Sequence, residues 1–128
     1  MPDEEGNPVN DIIHAFTALF KQYENDSVRI LSEIRSIFGS KAVSKIFIYF
    51  CLHGAATAWE LQRELDMAEA TTYRALSHLK SLGFITPALK VSKFRHSKGG
   101  PRPIVWAIEG ASQEEVTRAY QEMRQYEV

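Results

Sequence analysis

The chain has one cysteine in 128 residues, Cys51, so no internal disulfide can staple it. Cys51 lies in an apolar helical run, which points to a buried, inert thiol and to a reducing, cytoplasmic setting. That lone cysteine and four scattered histidines supply no ligand set at metal-site spacing, so neither a metal nor a cofactor is expected. No apolar run approaches the roughly 20 residues that span a bilayer, which argues against a membrane location. Met1 to Pro8 is acidic and polar where a secretory leader needs an apolar centre, so none is expected. No nucleophile stands at recognisable spacing from a base, and Glu60 with Glu64 reads as helix capping and surface charge, so catalysis is not expected. Gly99 and Gly100 lack the strand–loop–helix context of a phosphate cradle.

The most informative absence is of acid. Residues 70 to 108 carry seven bases and no Asp or Glu, although the whole chain has a net charge of −1. Residues 1 to 69 sum to −5 and residues 109 to 128 to −3, leaving +7 in the middle. Such segregation is the electrostatic footprint of a phosphate-binding surface. With 45% hydrophobic residues the chain can form one domain with helical extensions, burying about two-thirds of its unfolded surface.

The basic block begins inside the stretch that organises the chain, Thr57 to Ile85. Thr57 and Glu60 form a capping box, predicting a helix that buries Trp59, Leu61 and Leu65. Asp66 to Glu69 breaks the period and suits a tight turn. A second helix is predicted over Ala70 to Leu82, closed by Gly83 in a left-handed cap. At 100° per residue, Thr72, Ala75, Leu76, Leu79 and Leu82 fall on its packed side. The opposite face centres on Ala70, Arg74, Ser77 and Ser81, with Tyr73 and Lys80 on one flank and Thr71 and His78 on the other. It offers donors, small side chains and cations but no carboxylate, which suits a major groove. A solvated outer helix face would have the same composition, so the face alone does not decide.

Residues 1 to 9 read as a flexible leader, followed by a helical extension over 10 to 39. Asn10 can cap a helix with Ile12, Ile13, Phe16, Leu19, Phe20 and Tyr23 on one side; a second pattern follows at Val28, Leu31, Ile34, Ile37 and Phe38. Ser40 can cap a central helix, Lys41 to His53, apolar nearly all round and stopped by Gly54. A strand over KIFIYFCL is the weaker alternative. Beyond Gly83, a strand over Ala88 to Phe94 and another over Ile104 to Ile108 bracket RHSKGGPRP, a long exposed hairpin loop. Lys93, Arg95, Lys98 and Arg102 cluster in or beside it, and His96 adds charge below about pH 6.5. Ser112 and Glu115 open a C-terminal helix, within residues 110 to 128, whose apolar stripe is Val116, Ala119, Tyr120 and Met123. Two amphipathic helices flanking a small core exceed what one domain needs, so a homodimer is expected.

The order helix, helix, turn, helix, strand, basic loop, strand and helix resembles the winged helix-turn-helix of prokaryotic transcriptional regulators over about residues 40 to 109. TTYRALSHLKSLGFI is similar to the recognition helix of the MarR, ArsR and archaeal TrmB-like groups, and KGGPRPIVWAI to the wing of many archaeal members. The flanking helices resemble MarR-like dimerisation helices. The resemblance implies a mainly α fold with a small β-hairpin wing and flanking N- and C-terminal helices. It implies a cytoplasmic, nucleoid-associated regulator bound to double-stranded DNA, with Thr71, Tyr73, Arg74, Ser77 and His78 towards the major groove. Lys80 flanks that face, and Lys93, Arg95, Lys98 and Arg102 would lie on a neighbouring backbone or minor groove. The ArsR-like metal ligands are absent. The alternative is a winged-helix module that docks a protein partner through the N-terminal helices, in a replication, transcription or segregation assembly.

Overall fold

The computed structural model describes residues 8–22, 38–90 and 104–125. In chain order these form α1 (Pro8–Gln22), α2 (Lys41–His53), β1 (Ala55–Thr57), α3 (Ala58–Leu65), α4 (Glu69–Ser81), β2 (Ile85–Lys90), β3 (Ile104–Ile108) and α5 (Gln113–Gln125). The described protein is mainly helical, with a small antiparallel sheet of strand order β1-β3-β2.

The helix α2 forms as predicted, not as a strand. The Ser40 hydroxyl accepts from the Val43 N–H at 3.3 Å, and Gly54 ends the helix at φ 84°, donating to the Phe50 carbonyl at 2.7 Å. The positive φ favours glycine there, and a Cβ would also have to displace the Glu115 carboxyl group, whose carbon would lie 2.2 Å away. Ile46, Phe47 and Phe50 are fully buried. The Phe47 ring meets Phe16 at 5.6 Å, Phe20 at 6.3 Å, Phe38 at 5.0 Å and Phe84 at 5.2 Å between centroids. Through those rings α2 holds α1, the residue before Gly39, and the chain leaving α4.

The helix α1 begins at Pro8, two residues before the expected cap at Asn10. Proline suits a first helical turn, since its fixed φ is already helical and its missing N–H would have had no partner. Ile13 and Phe20 bury against α2, so this stripe is used within the protomer. The pattern expected from Val28 to Ile37 lies outside the described residues.

Strand β3 occupies the centre of the sheet, and both of its faces are covered. Alternate side chains point opposite ways along a strand: Trp106 and Ile108 join the main core, whereas Val105 and Ala107 meet Ala55 and Ala119 in a second cluster under α5. The strand β1, unforeseen in the sequence, pairs Ala55 with Ala107 and Thr57 with Val105, making the expected hairpin a three-stranded sheet. On the other side β2 pairs Ile85 with Ile108 and Lys90 with Ile104. It starts at Ile85 and not at Ala88, and takes in Pro87, which an edge strand tolerates; the register shifts between Pro87 and Leu89.

In α5 the predicted capping box is reciprocal: the Glu115 N–H donates to the Ser112 hydroxyl at 3.1 Å, and the Ser112 N–H to the Glu115 carboxylate at 2.8 Å. Ala119 and Met123 are buried, with α5 packed on β1 and β3. Both flanking helices therefore pack part of their apolar stripes on their own core, although Ile12, expected on the α1 stripe, is 41% exposed. Replacing Phe47 by alanine should lower unfolding free energy by about 3–5 kcal/mol, read as a lower urea midpoint.

Candidate nucleic-acid interface

The helix pair α3 and α4 is set by its ends. Thr57 caps α3, its hydroxyl accepting from the Glu60 N–H at 3.1 Å. Asp66 then turns left-handed at φ 51°, the only non-glycine described residue with positive φ, and the Met67 N–H reaches back to the Gln62 carbonyl at 3.0 Å. The turn expected at Asp66 is thus present. Helix α4 follows with Ala68 at its N-cap and no capping side chain; instead the buried Thr72 hydroxyl donates to the Ala68 carbonyl at 2.8 Å. Gly83 closes the other end at φ 84°, with the Phe84 N–H bonded to the Leu79 carbonyl at 3.1 Å.

Thr72, Ala75, Leu76 and Leu79 are buried as predicted. Leu82 is not: it is 44% exposed at the C-cap of the helix. Trp59 also departs from expectation at 42% exposure, with the Arg63 guanidinium 4.9 Å from its ring centroid. Its place in the interior of α3 is taken by Ala58, Glu60 and Leu61.

The outer face of α4 brings together Tyr73, Arg74, Ser77, His78 and Lys80, all exposed, with Thr71 half-buried at the edge. Tyr73, Arg74, Ser77 and His78 line a shallow, open hollow. An Arg74 guanidinium nitrogen lies 3.5 Å from the Thr71 hydroxyl, and the Lys80 ammonium stands 6.0 Å over the Trp106 ring of β3. Burial, and then the Glu69 carboxylate, push the Tyr73 phenol above its ordinary value. One correction follows from the helix start: α4 begins at Glu69, so the face carries a carboxylate at its N-terminal end. Lys93, Arg95, His96, Lys98 and Arg102 lie outside the described residues. The described residues on either side of them, Lys90 and Ile104, are paired in the sheet.

A second cluster was missed in the sequence. The expected return bond from the Glu60 carboxylate to its cap is not made, because Glu60 turns inward and is 1% exposed. One of its oxygens accepts from the Tyr49 hydroxyl and from the Arg118 guanidinium at 3.1 Å; the other has no hydrogen-bond partner. Arg118 also donates to the Ala55 carbonyl and to Glu122 at 2.8 Å, which ties α5 to β1 and α3. His53 packs on the Tyr49 ring at 4.2 Å, and burial with the Arg118 charge lowers its basicity. The one signal was Tyr49, a polar group on the apolar helix α2; Glu60 and Arg118 lie on helices rich in polar residues, and the meeting of the three is tertiary. Cys51 is buried and its thiol pushed up to about 12 by desolvation, matching the inert thiol expected. Among the described residues no group of three or more His, Cys, Asp or Glu side chains could hold a metal, and no helix is long and apolar enough to cross a membrane.

No family model, curated protein or solved structure matches the chain.

Burial raises the Glu60 carboxyl above its ordinary 4.5, against the opposing pull of the Tyr49 hydrogen bond and Arg118. Between 4.5 and the raised value the folded state therefore holds more proton than the unfolded state, so this group makes stability fall as pH rises through that window. Urea unfolding across mildly acidic to neutral pH should lose that component of the slope in Glu60→Gln.

Proposed function

We propose that the chain is a sequence-specific regulator of transcription that binds double-stranded DNA as a winged helix-turn-helix of the MarR, ArsR and TrmB-like kind. The observation that carries this is the outer face of α4, where Tyr73, Arg74, Ser77, His78 and Lys80 are exposed on a helix rigidly backed by Thr72, Ala75, Leu76 and Leu79. An outward helix of donors and cations, backed by apolar contacts and preceded by a short helix and a tight turn, suits insertion into a major groove.

In this reading Arg74 bonds guanine O6 and N7, with Thr71 steadying the guanidinium, and Tyr73, Ser77 and His78 make the neighbouring contacts. Lys80, close to the strand pair, meets a phosphate. Lys93, Arg95, His96, Lys98 and Arg102 lie on the adjacent backbone or minor groove, setting affinity and register more than base choice. The regulator acts as a cytoplasmic, nucleoid-associated homodimer whose two α4 helices stand about 34 Å apart or a multiple of it. Since one side of α1 and of α5 packs on the protomer's own core, that dimer uses what those helices leave exposed, such as Ile12 of α1 at 41% exposure.

The test is affinity for generic duplex DNA across a salt series. The log–log slope should be about −0.9 for each phosphate neutralised, and Arg95→Ala with Lys98→Ala should flatten it by up to roughly two contacts per protomer. Arg74→Ala should cost about 1–3 kcal/mol of discrimination at one guanine, with a smaller effect on non-specific binding. A protein that ignores DNA at about 50 mM salt, where phosphate binding is strong, overturns this reading in favour of a protein-docking module.

A further inference from the structure

One residue of the α4 face suits the positive end of the helix dipole but is given no partner by the DNA reading. Glu69 is the sole acid from residue 69 to residue 108, and it is the first residue of the helix that would enter the groove. It is exposed, and no ion pair among the described residues engages it. It stands one helical turn before Tyr73, close enough for its charge to act on that phenol, and so on the ridge that borders the Tyr73–Arg74–Ser77–His78 hollow.

On a surface that approaches phosphates, an unpaired carboxylate is repelled unless it meets a hydrogen-bond donor. The duplex displays two in the major groove, the exocyclic amino groups of cytosine and adenine. A carboxylate is acceptor-only. The adenine amino group sits beside N7, an acceptor whose lone pair faces any carboxylate on N6, whereas the cytosine amino group has no such neighbour on its own ring. Residues at the N-terminal end of a recognition helix are those that reach base edges.

We infer that Glu69 is a specificity-determining residue, accepting a hydrogen bond from N4 of a cytosine in the major groove. This rests on the DNA-binding reading of α4. The helix rise carries the chain about 7.5 Å from Glu69 to Arg74, so the cytosine lies within about two base pairs of the guanine that Arg74 contacts.

The test is selection from a randomised duplex pool with the full chain, in parallel for the native protein, Glu69→Gln and Glu69→Ala. Glu69 is exposed and engaged in no ion pair among the described residues, so both variants keep the fold. The native protein should select cytosine at one position by about tenfold or more over the other bases. Glu69→Ala should lose that preference while binding non-specific duplex as tightly as the native protein or more tightly. Glu69→Gln should switch the preferred base to adenine, since an amide can donate to N7 and accept from N6 together. A native protein and variants that all select the same site overturn the role of Glu69 and leave DNA recognition standing. A native protein that enriches no sequence overturns recognition and, with it, this inference.

Discussion

The contact on which the remaining packing depends is the meeting of aromatic rings around Phe47. Helix α2 has almost no polar face, so it must be covered on several sides, and the chain covers it with rings from before it and after it in sequence. Phe16 and Phe20 bring α1, Phe38 the approach to α2, and Phe84 the exit from α4. All four of these pairs are tilted or edge-on, the arrangement the ring quadrupole favours. Because α4 leans on α2 through Ala75, Leu76 and Leu79, that ring cluster also sets the attitude of the α4 outer face.

The second constraint is polar and buried. Glu60, capped into place by Thr57, cannot reach solvent, and it meets Tyr49 from α2 and Arg118 from α5. Glu60 is buried but the Arg118 side chain is 40% exposed, and desolvation of the carboxylate offsets much of the attraction, so the pair matters more as a tie between elements than as a source of stability. Arg118 spans Glu60, Glu122 and the Ala55 carbonyl, so one side chain fixes the angle at which α5 crosses the sheet.

What could be read in the sequence was what is decided locally. The caps at Ser40, Thr57 and Ser112 and the left-handed stops at Gly54 and Gly83 depend on residues within a turn of one another, and all are found in place. The outer face of α4 was legible because its 100° period is independent of tertiary partners. Strand β1 was not, since three residues of Ala-Ala-Thr carry no periodicity and pair only because β3 lies beside them. Trp59 was misplaced for a related reason. Eight residues of α3 leave room for few inward side chains, and Glu60 takes one position through partners 11 and 58 residues away. Glu69 entered the α4 face by a shift of one residue at a helix start, where boundary signals are weakest.

The covering of β3 on both sides divides the molecule into a part that needs α5 and a part that does not. Ala55, Val105 and Ala107 face α5, whereas Trp106 and Ile108 belong to the main core and the three strands pair with one another. Local opening of α5 therefore bares a small apolar sheet face while the strands stay paired and the main core stays closed. The exchange of that face with solvent is governed by Ala119, Met123 and the Arg118 bonds, which α5 must give up to lift away.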